Sequence, residues 1–347
     1  MPKLGVTMES EINEIPVVFK NVIKGAKQFE QLGDLLTTSG FKSVQILARG
    51  TSDNAAHFLK YLIETKVGLP VGLTSPSAVT IYGTELKFNS TLLIAISKSG
   101  QSTDLIKFAT AAKSGGGYFI AITNDQNSPL AKISNTHISL LAGKESAIAA
   151  TKSYAAQLLT CFLLVNYWID KDLSQRYLKL IYSSTLAIIE KQDLISAAIT
   201  KINIKNDLVF LGRGFSYPNA REFALKIQET IKISVQGLSI AYYMHGPISA
   251  LTDKTQLFIV TQNDSDLSYY KDYLVGLRDR NQKIFWIGDS SLALENEEVI
   301  NGAKSGNEVI NCIVDCVIGQ KIALELARKN GLNPDKPEGL SKVTLTN

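Results

Sequence analysis

Cysteine and histidine are scarce in this chain, and the few present are poorly placed for metal chemistry. The three cysteines, Cys161, Cys312 and Cys316, are odd in number and form no C-x-x-C pair, which argues against a disulfide framework or a zinc ribbon. Cys312 and Cys316 share one face of a helix, where a core role is expected. The three histidines, His57, His137 and His245, are far apart, so nothing calls for a metal. Charge is thinly spread: the net value is +4, with no long block of one sign, which argues against a nucleic-acid footprint. Long apolar runs are missing too. The longest, between Lys152 and Asp170, is broken by Gln157, Thr160 and Asn166. It is too short and too polar to span a bilayer, and reads as a buried helix or one at a subunit interface. No secretory signal is evident, so a reduced, cytoplasmic protein is expected. The Walker pattern G-x-x-x-x-G-K-[ST] is also absent.

What is present centres on Leu92 to Ile106, LLIAISKSGQSTDLI. Leu92 to Ile96 is uniformly apolar, the signature of a parallel strand covered on both faces. The next residues, Ser97 to Thr103, are nearly all hydroxyl, amide and glycine, and a helical pattern begins at Thr103 or Asp104. A helix start has unpaired N–H groups and a favourable dipole for an anion, to which short hydroxyls add neutral donors. Capping by Ser102 or Thr103 is the simpler reading of any one hydroxyl. Several hydroxyls around one glycine favour a small monophosphate.

The 347 residues allow two domains, each with its own core. Residues 1 to 45 read as amphipathic helix, followed by buried strands at Val44–Ala48, near Val71, at Leu92–Ile96, at Tyr118–Thr123 and, weakly, at His137–Leu141. A helix from Thr51 to about Lys66 is stopped by Gly68-Leu69-Pro70. Residues 152 to 205 read as helical throughout. A second unit then repeats the first: ILARGTSDNAA (Ile46–Ala56) is echoed by FLGRGFSYPNA (Phe210–Ala220), and Leu257–Thr261 and Ile284–Gly288 take the places of the Leu92 and Tyr118 strands. The offset is about 165 residues, so one module is duplicated. Strand–helix alternation predicts α/β architecture, two tandem doubly wound parallel-sheet sandwiches of flavodoxin-like type. The expected divisions are an N-terminal helical segment (1–40), a first phosphate-binding domain (41–165), a helical linker (166–205), a second domain (206–330) and a C-terminal tail (331–347). The second copy has Thr261-Gln262-Asn263-Asp264 where the first has its serines, so only the first should hold phosphate.

Three further places could carry chemistry. Glu222, Lys226 and Glu229 form one helical stripe near the mouth of the second sheet, either a solvated ion-paired face or part of a site. His245 precedes Gly246-Pro247 in a polar loop, a position suited to acid–base work. The proline-rich tail carries Lys342 and, with Leu340 and Val343, looks docked. Glu145 and Thr151-Lys152, ahead of the Lys152 helix, read as another wall for an anion.

These motifs together resemble the sugar isomerase (SIS) domain pair. ARGTSD, SKSGQSTD, ESAIAATKSY, FLGRGFSYPNAREFALKIQE, MHGP and GLSKVT are similar to the isomerase part of glutamine–fructose-6-phosphate aminotransferases. The ESAIAATKSY stretch and the GLNPDKPEGLSKVT tail look most like SIS-type glucosamine-6-phosphate deaminases. The resemblance covers almost the whole chain. It implies phosphate binding by Thr51, Ser52, Ser97, Lys98, Ser99 and Ser102, and proton transfer by Glu229 with Lys226 beside it. His245 would open the sugar ring from across a homodimer, and Lys342 would meet the open-chain carbonyl. The implied substrate is an amino-sugar phosphate, and no metal or nicotinamide cofactor is implied. Ala150 and Tyr242 depart from the aminotransferase pattern, which has a serine and a glutamate there. The glutaminase half is not in this sequence, so a deaminase or isomerase is expected, ahead of a non-catalytic sugar-phosphate sensor.

Overall fold

Among the described residues ten short strands, mostly apolar at their buried positions, form two parallel sheets of five. The computed structural model describes residues 3–170, 175–190, 192–262, 267–280 and 283–342. The first sheet contains β1 (Ser43–Ala48), β2 (Val71–Leu73), β3 (Thr91–Ile96), β4 (Tyr118–Thr123) and β5 (Thr136–Ser139), in the order β2-β1-β3-β4-β5. The second contains β6 (Leu208–Gly212), β7 (Val235–Ser239), β8 (Gln256–Val260), β9 (Lys283–Gly288) and β10 (Glu298–Asn301), in the order β10-β9-β8-β6-β7. The two orders are the same topology, which bears out the duplicated doubly wound layout. Gly50 and Gly214, which follow the first strand of each copy, hold φ of 57° and 56°, so even the turn is repeated.

The chain divides into two compact units that do not follow its linear order. One comprises Val17–Glu145, Lys152–Gln175 and Ser341–Asn347; the other comprises Met1–Pro16, Ser146–Thr151 and Arg176–Leu340. In the first unit, Leu47, Leu93, Ala95, Phe119 and Ala121 pack under Leu105, Phe108, Ala109 and Ala112 of the Thr103–Ser114 helix. Ala55, Phe58 and Leu59 of the Thr51–Leu62 helix are fully buried, as is most of the Lys152–Ile169 helix that packs with it. That long helix is buried along most of its length, from Tyr154 at 0% exposure to Trp168 at 7%, and only its end opens out, with Ile169 at 50%.

In the second unit, Phe210, Phe258 and Phe285 are register partners on adjacent strands and stack with centroids 4.3 and 4.7 Å apart. Phe223 of the Ser216–Ile231 helix meets Phe210 edge-on at 6.3 Å. Such ring pairs add to simple burial and fix which face of this helix turns inward. Lys226, three residues on from Phe223, is carried inward with it.

The sequence reading runs long in several places. β1 starts at Ser43, so the N-terminal helices do not reach residue 45; the last of them ends at Thr38. Helix ends at Lys201, short of 205, because Ile202 to Asp207 lead into β6. The Thr51 helix passes at Leu62 into a π turn, Ile63–Val67. The last weak strand of the first sheet is Thr136–Ser139.

The described part of the tail is anchored, though not through Leu340. Leu340 is 46% exposed, and Val343 lies outside the described residues. Asp335 does the anchoring: its carboxylate accepts the N–H groups of Thr7 (3.0 Å) and Met8 (2.7 Å), capping the Val6–Asn13 helix. Pro334 and Pro337 are buried. Farther along that helix, Arg328 donates to Glu9 at 2.9 Å, and the Glu9 carboxyl is lowered to about 2, first by that hydrogen bond. A carboxylate with a lowered folded-state pKa stabilises above its unfolded value and loses that contribution as pH falls through the folded one. Thermal stability should therefore decline from about pH 4.5 toward pH 2, and Glu9→Gln should flatten that part of the profile. Unfolding scans at several pH values would show an unchanged profile in the variant if the pair contributes nothing.

Candidate functional site

In an open α/β sheet, ligands bind beyond the carboxyl ends of the strands, where the strand order reverses. In the first sheet that switch lies between β1 and β3. The first turn of the Thr51–Leu62 helix, two residues beyond β1, carries Thr51 and Ser52, and the loop after β3 carries Ser97, Lys98, Ser99 and Ser102. All six expected phosphate ligands thus fall at one switch point. Arg49, at the end of β1, donates from Nε to Asp104 in the first turn of the Thr103 helix, 3.1 Å away. This pair ties the two segments to each other.

Within the β3 loop the hydroxyls are arranged to give. Ser97 Oγ accepts the N–H of Gly100 (3.1 Å), and Ser99 Oγ accepts that of Gln101 (3.4 Å). A hydroxyl that accepts a backbone N–H keeps its own proton to donate. Ser102 is the N-cap of the helix, yet its side chain makes no capping bond. The simple capping role does not describe it. Gly100 holds φ of 63°, and a Cβ there would meet Ser128 Oγ at 2.3 Å, so no other residue fits this turn without displacing its neighbour. Each hydrogen bond to a charged partner is worth about 1.5–3 kcal/mol, so the double variant Ser97→Ala, Ser99→Ala should raise KM for a phosphorylated substrate about tenfold or more. An unchanged KM would put the phosphate elsewhere.

The start of the Lys152 helix is not open to an outside anion, because the chain supplies its own. Glu145 Oε1 accepts the N–H of Ser153 (3.0 Å) and Oε2 accepts its hydroxyl (2.8 Å). The Glu145 side chain is fully buried. The same Oε2 accepts from Lys342 Nζ at 3.0 Å, and Lys98 Nζ of the phosphate loop stands 4.0 Å from it. Lys342 and Lys98 thus converge on one carboxylate within the first unit. Ser52 Oγ, in the first turn of the Thr51–Leu62 helix, accepts from Gln157 of the Lys152 helix at 2.9 Å.

The second unit holds Glu222, Lys226, Glu229 and His245. The stripe is no solvated face: the side chains of Glu222 and Lys226 are fully buried, while that of Glu229 keeps 22% of its surface. Lys226 Nζ lies 3.4 Å from Glu222 Oε1 and donates to Glu229 Oε2. A buried ammonium is tolerable only with such partners. Glu229 is the carboxylate of the stripe that reaches the surface. His245 is exposed on the loop after Tyr243, beside the 62% exposed Tyr242, and its N–H donates to the Tyr242 carbonyl at 3.0 Å.

The remaining histidines have structural surroundings. His137 Nε2 pairs with Thr123 Oγ1 at 2.9 Å, and burial lowers its pKa. His57 faces Asp53 at 3.8 Å. All three cysteines are free and buried, and burial pushes their thiols up, which removes them as nucleophiles. Among the described residues no His/Cys/Asp/Glu group could hold a metal, and no helix is long and apolar enough to cross a membrane. The second sheet's counterpart loop keeps Thr261 and Gln262; Asn263 and Asp264 lie outside the described residues. The link from Glu145 to the tail has no sequence signal, since its partners are 197 residues apart.

The SIS domain model matches residues 39–167 and 201–311. A glutamine–fructose-6-phosphate aminotransferase (isomerizing) from Pyrococcus horikoshii is 30% identical over 345 residues, covering 96% of this chain and 57% of the relative. The chain thus spans somewhat over half the length of that protein. A candidate phosphosugar isomerase from Silicibacter pomeroyi has a crystal structure similar at TM-score 0.86, with 26% identity over 95% of this chain and 99% of the other. A glucosamine-6-phosphate deaminase from Thermotoga maritima superposes at TM-score 0.77, with 21% identity and 98% coverage of both chains. At that identity it speaks for the fold alone.

Proposed function

Because the chain belongs to the SIS domain family, we propose that it is an aldose–ketose isomerase of phosphosugars that deaminates glucosamine 6-phosphate to fructose 6-phosphate and ammonia. The observation that carries this reading is Lys342 on Glu145, beside Lys98 of the hydroxyl loop. An amine able to meet a sugar carbonyl and donors able to hold a phosphate occur in one unit. Thr51, Ser52, Ser97, Lys98, Ser99 and Ser102 bind the phosphate, which supplies binding energy away from the reacting carbons. His245 assists ring opening; its exposure suits a group lent to a second copy in a homodimer. Glu229 takes the proton from C2, giving an enolamine, and returns it at C1. Water then adds to the C2 ketimine and ammonia leaves. Lys226 holds Glu229 in place, and no metal or nicotinamide takes part. The three free thiols suit a reduced cytoplasmic setting.

The aminotransferase relatives favour one other reading, the reverse-type isomerisation of fructose 6-phosphate with ammonia from solution. One assay separates these: ammonia release from a panel of amino-sugar and fructosamine phosphates and their unphosphorylated forms, beside ammonia uptake with fructose 6-phosphate. Release from glucosamine 6-phosphate, lost without the phosphate, supports the proposal. Turnover only of a different sugar phosphate moves the substrate assignment. Binding without turnover of any of them returns the chain to a sensor role.

A further inference from the structure

We propose that Glu145 is a positioning residue: it docks the C-terminal tail on the phosphate loop by holding Lys342, and through Lys98 it couples that docking to phosphate binding. The inference rests on the proposed function for its catalytic meaning, but the docking itself stands on geometry. A fully buried carboxylate needs partners, and Glu145 draws them from three separate places in the chain. Ser153 contributes an N–H at 3.0 Å and a hydroxyl at 2.8 Å, Lys342 an ammonium at 3.0 Å, and Lys98 a second ammonium at 4.0 Å. The Lys342 and Lys98 side chains are each 24% exposed, so both can still face a ligand. Lys98 sits between Ser97 and Ser99, whose hydroxyls are set to donate. A phosphate there draws Lys98 toward itself and leaves Lys342 a larger share of the Glu145 charge. Phosphate occupancy then tightens the tail, and by reciprocity a docked tail frees Lys98 for phosphate.

The test measures how fast an amine-selective acetylating reagent modifies Lys342, read by mass spectrometry on the full chain with and without inorganic phosphate. Exposed Lys336 of the same tail serves as the internal reference. Lys342 of the wild type should react about tenfold more slowly than Lys336, the effect of one charge-assisted hydrogen bond, and more slowly still with phosphate. In Glu145→Gln that protection should vanish along with its phosphate dependence. A wild-type Lys342 as reactive as Lys336 overturns the proposal even if the variant fails to fold. Equal Lys342 rates in wild type and a folded variant overturn it as well. Steady-state kinetics add a reading that a purely structural role would not give. Glu145→Gln removes a negative charge near the phosphate, so kcat should fall about tenfold or more while KM stays level or drops. The labelling arm needs no substrate, so failure of the deaminase reading and failure of tail docking are separately visible.

Discussion

Glu229→Gln should lower kcat by about 10²- to 10⁴-fold, or about 3–5 kcal/mol of barrier, with substrate affinity largely kept. Glutamine preserves the side chain's shape and its oxygen acceptor for Lys226, and removes only the basicity. The geometry makes the substitution clean. Lys226 keeps Glu222 at 3.4 Å as its buried counter-charge, so the interior ammonium is not stranded. A folding defect is then a poor explanation of lost activity. Glu222→Gln serves as the comparison, because that carboxylate is fully buried. It should lower thermal stability more than Glu229→Gln does. A Glu229→Gln enzyme with more than half of normal activity would reduce the stripe to a structural ion-pair cluster.

Ending the chain after Gly339 should abolish turnover, and Lys342→Ala should reproduce most of that loss. Leu340 is 46% exposed, so among the described residues the deletion removes little buried apolar surface. The stability cost comes instead from Glu145, which loses one of its cationic partners. Stripping all partners from a buried charge costs about 3–5 kcal/mol, and Lys98 and Ser153 remain, so a smaller drop in Tm is expected. Turnover assays beside thermal melts separate the two effects. Near-normal kcat in the truncated, folded protein would remove Lys342 from the mechanism.

The sequence made legible whatever is written in short-range pattern. β3 and β4 are read from uniform apolar runs, because a central parallel strand is covered on both faces. The repeat of Arg-Gly at Arg49-Gly50 and Arg213-Gly214 reveals the duplication, and the near-identical φ angles show its physical basis. β7 and β10 escape notice for the opposite reason. They are sheet edges of five and four residues, VQGLS and EVIN, half-exposed and without an apolar run. Burial of the Glu222–Lys226–Glu229 stripe is likewise invisible in its spacing. It depends on Phe223 meeting Phe210 and on the Glu308–Lys329 helix packed alongside. The Glu145–Lys342 pair joins residues that only the folded chain brings together.

The central claim is that a proton leaves C2 before nitrogen does, and glucosamine 6-phosphate deuterated at C2 tests this most directly. Product formed by the enzyme should be fructose 6-phosphate with the label at C1 or lost to water, and turnover should be slowed by the isotope. A phosphorylated aldose product that retains deuterium at C2 would mean direct displacement of the amine and would contradict the account.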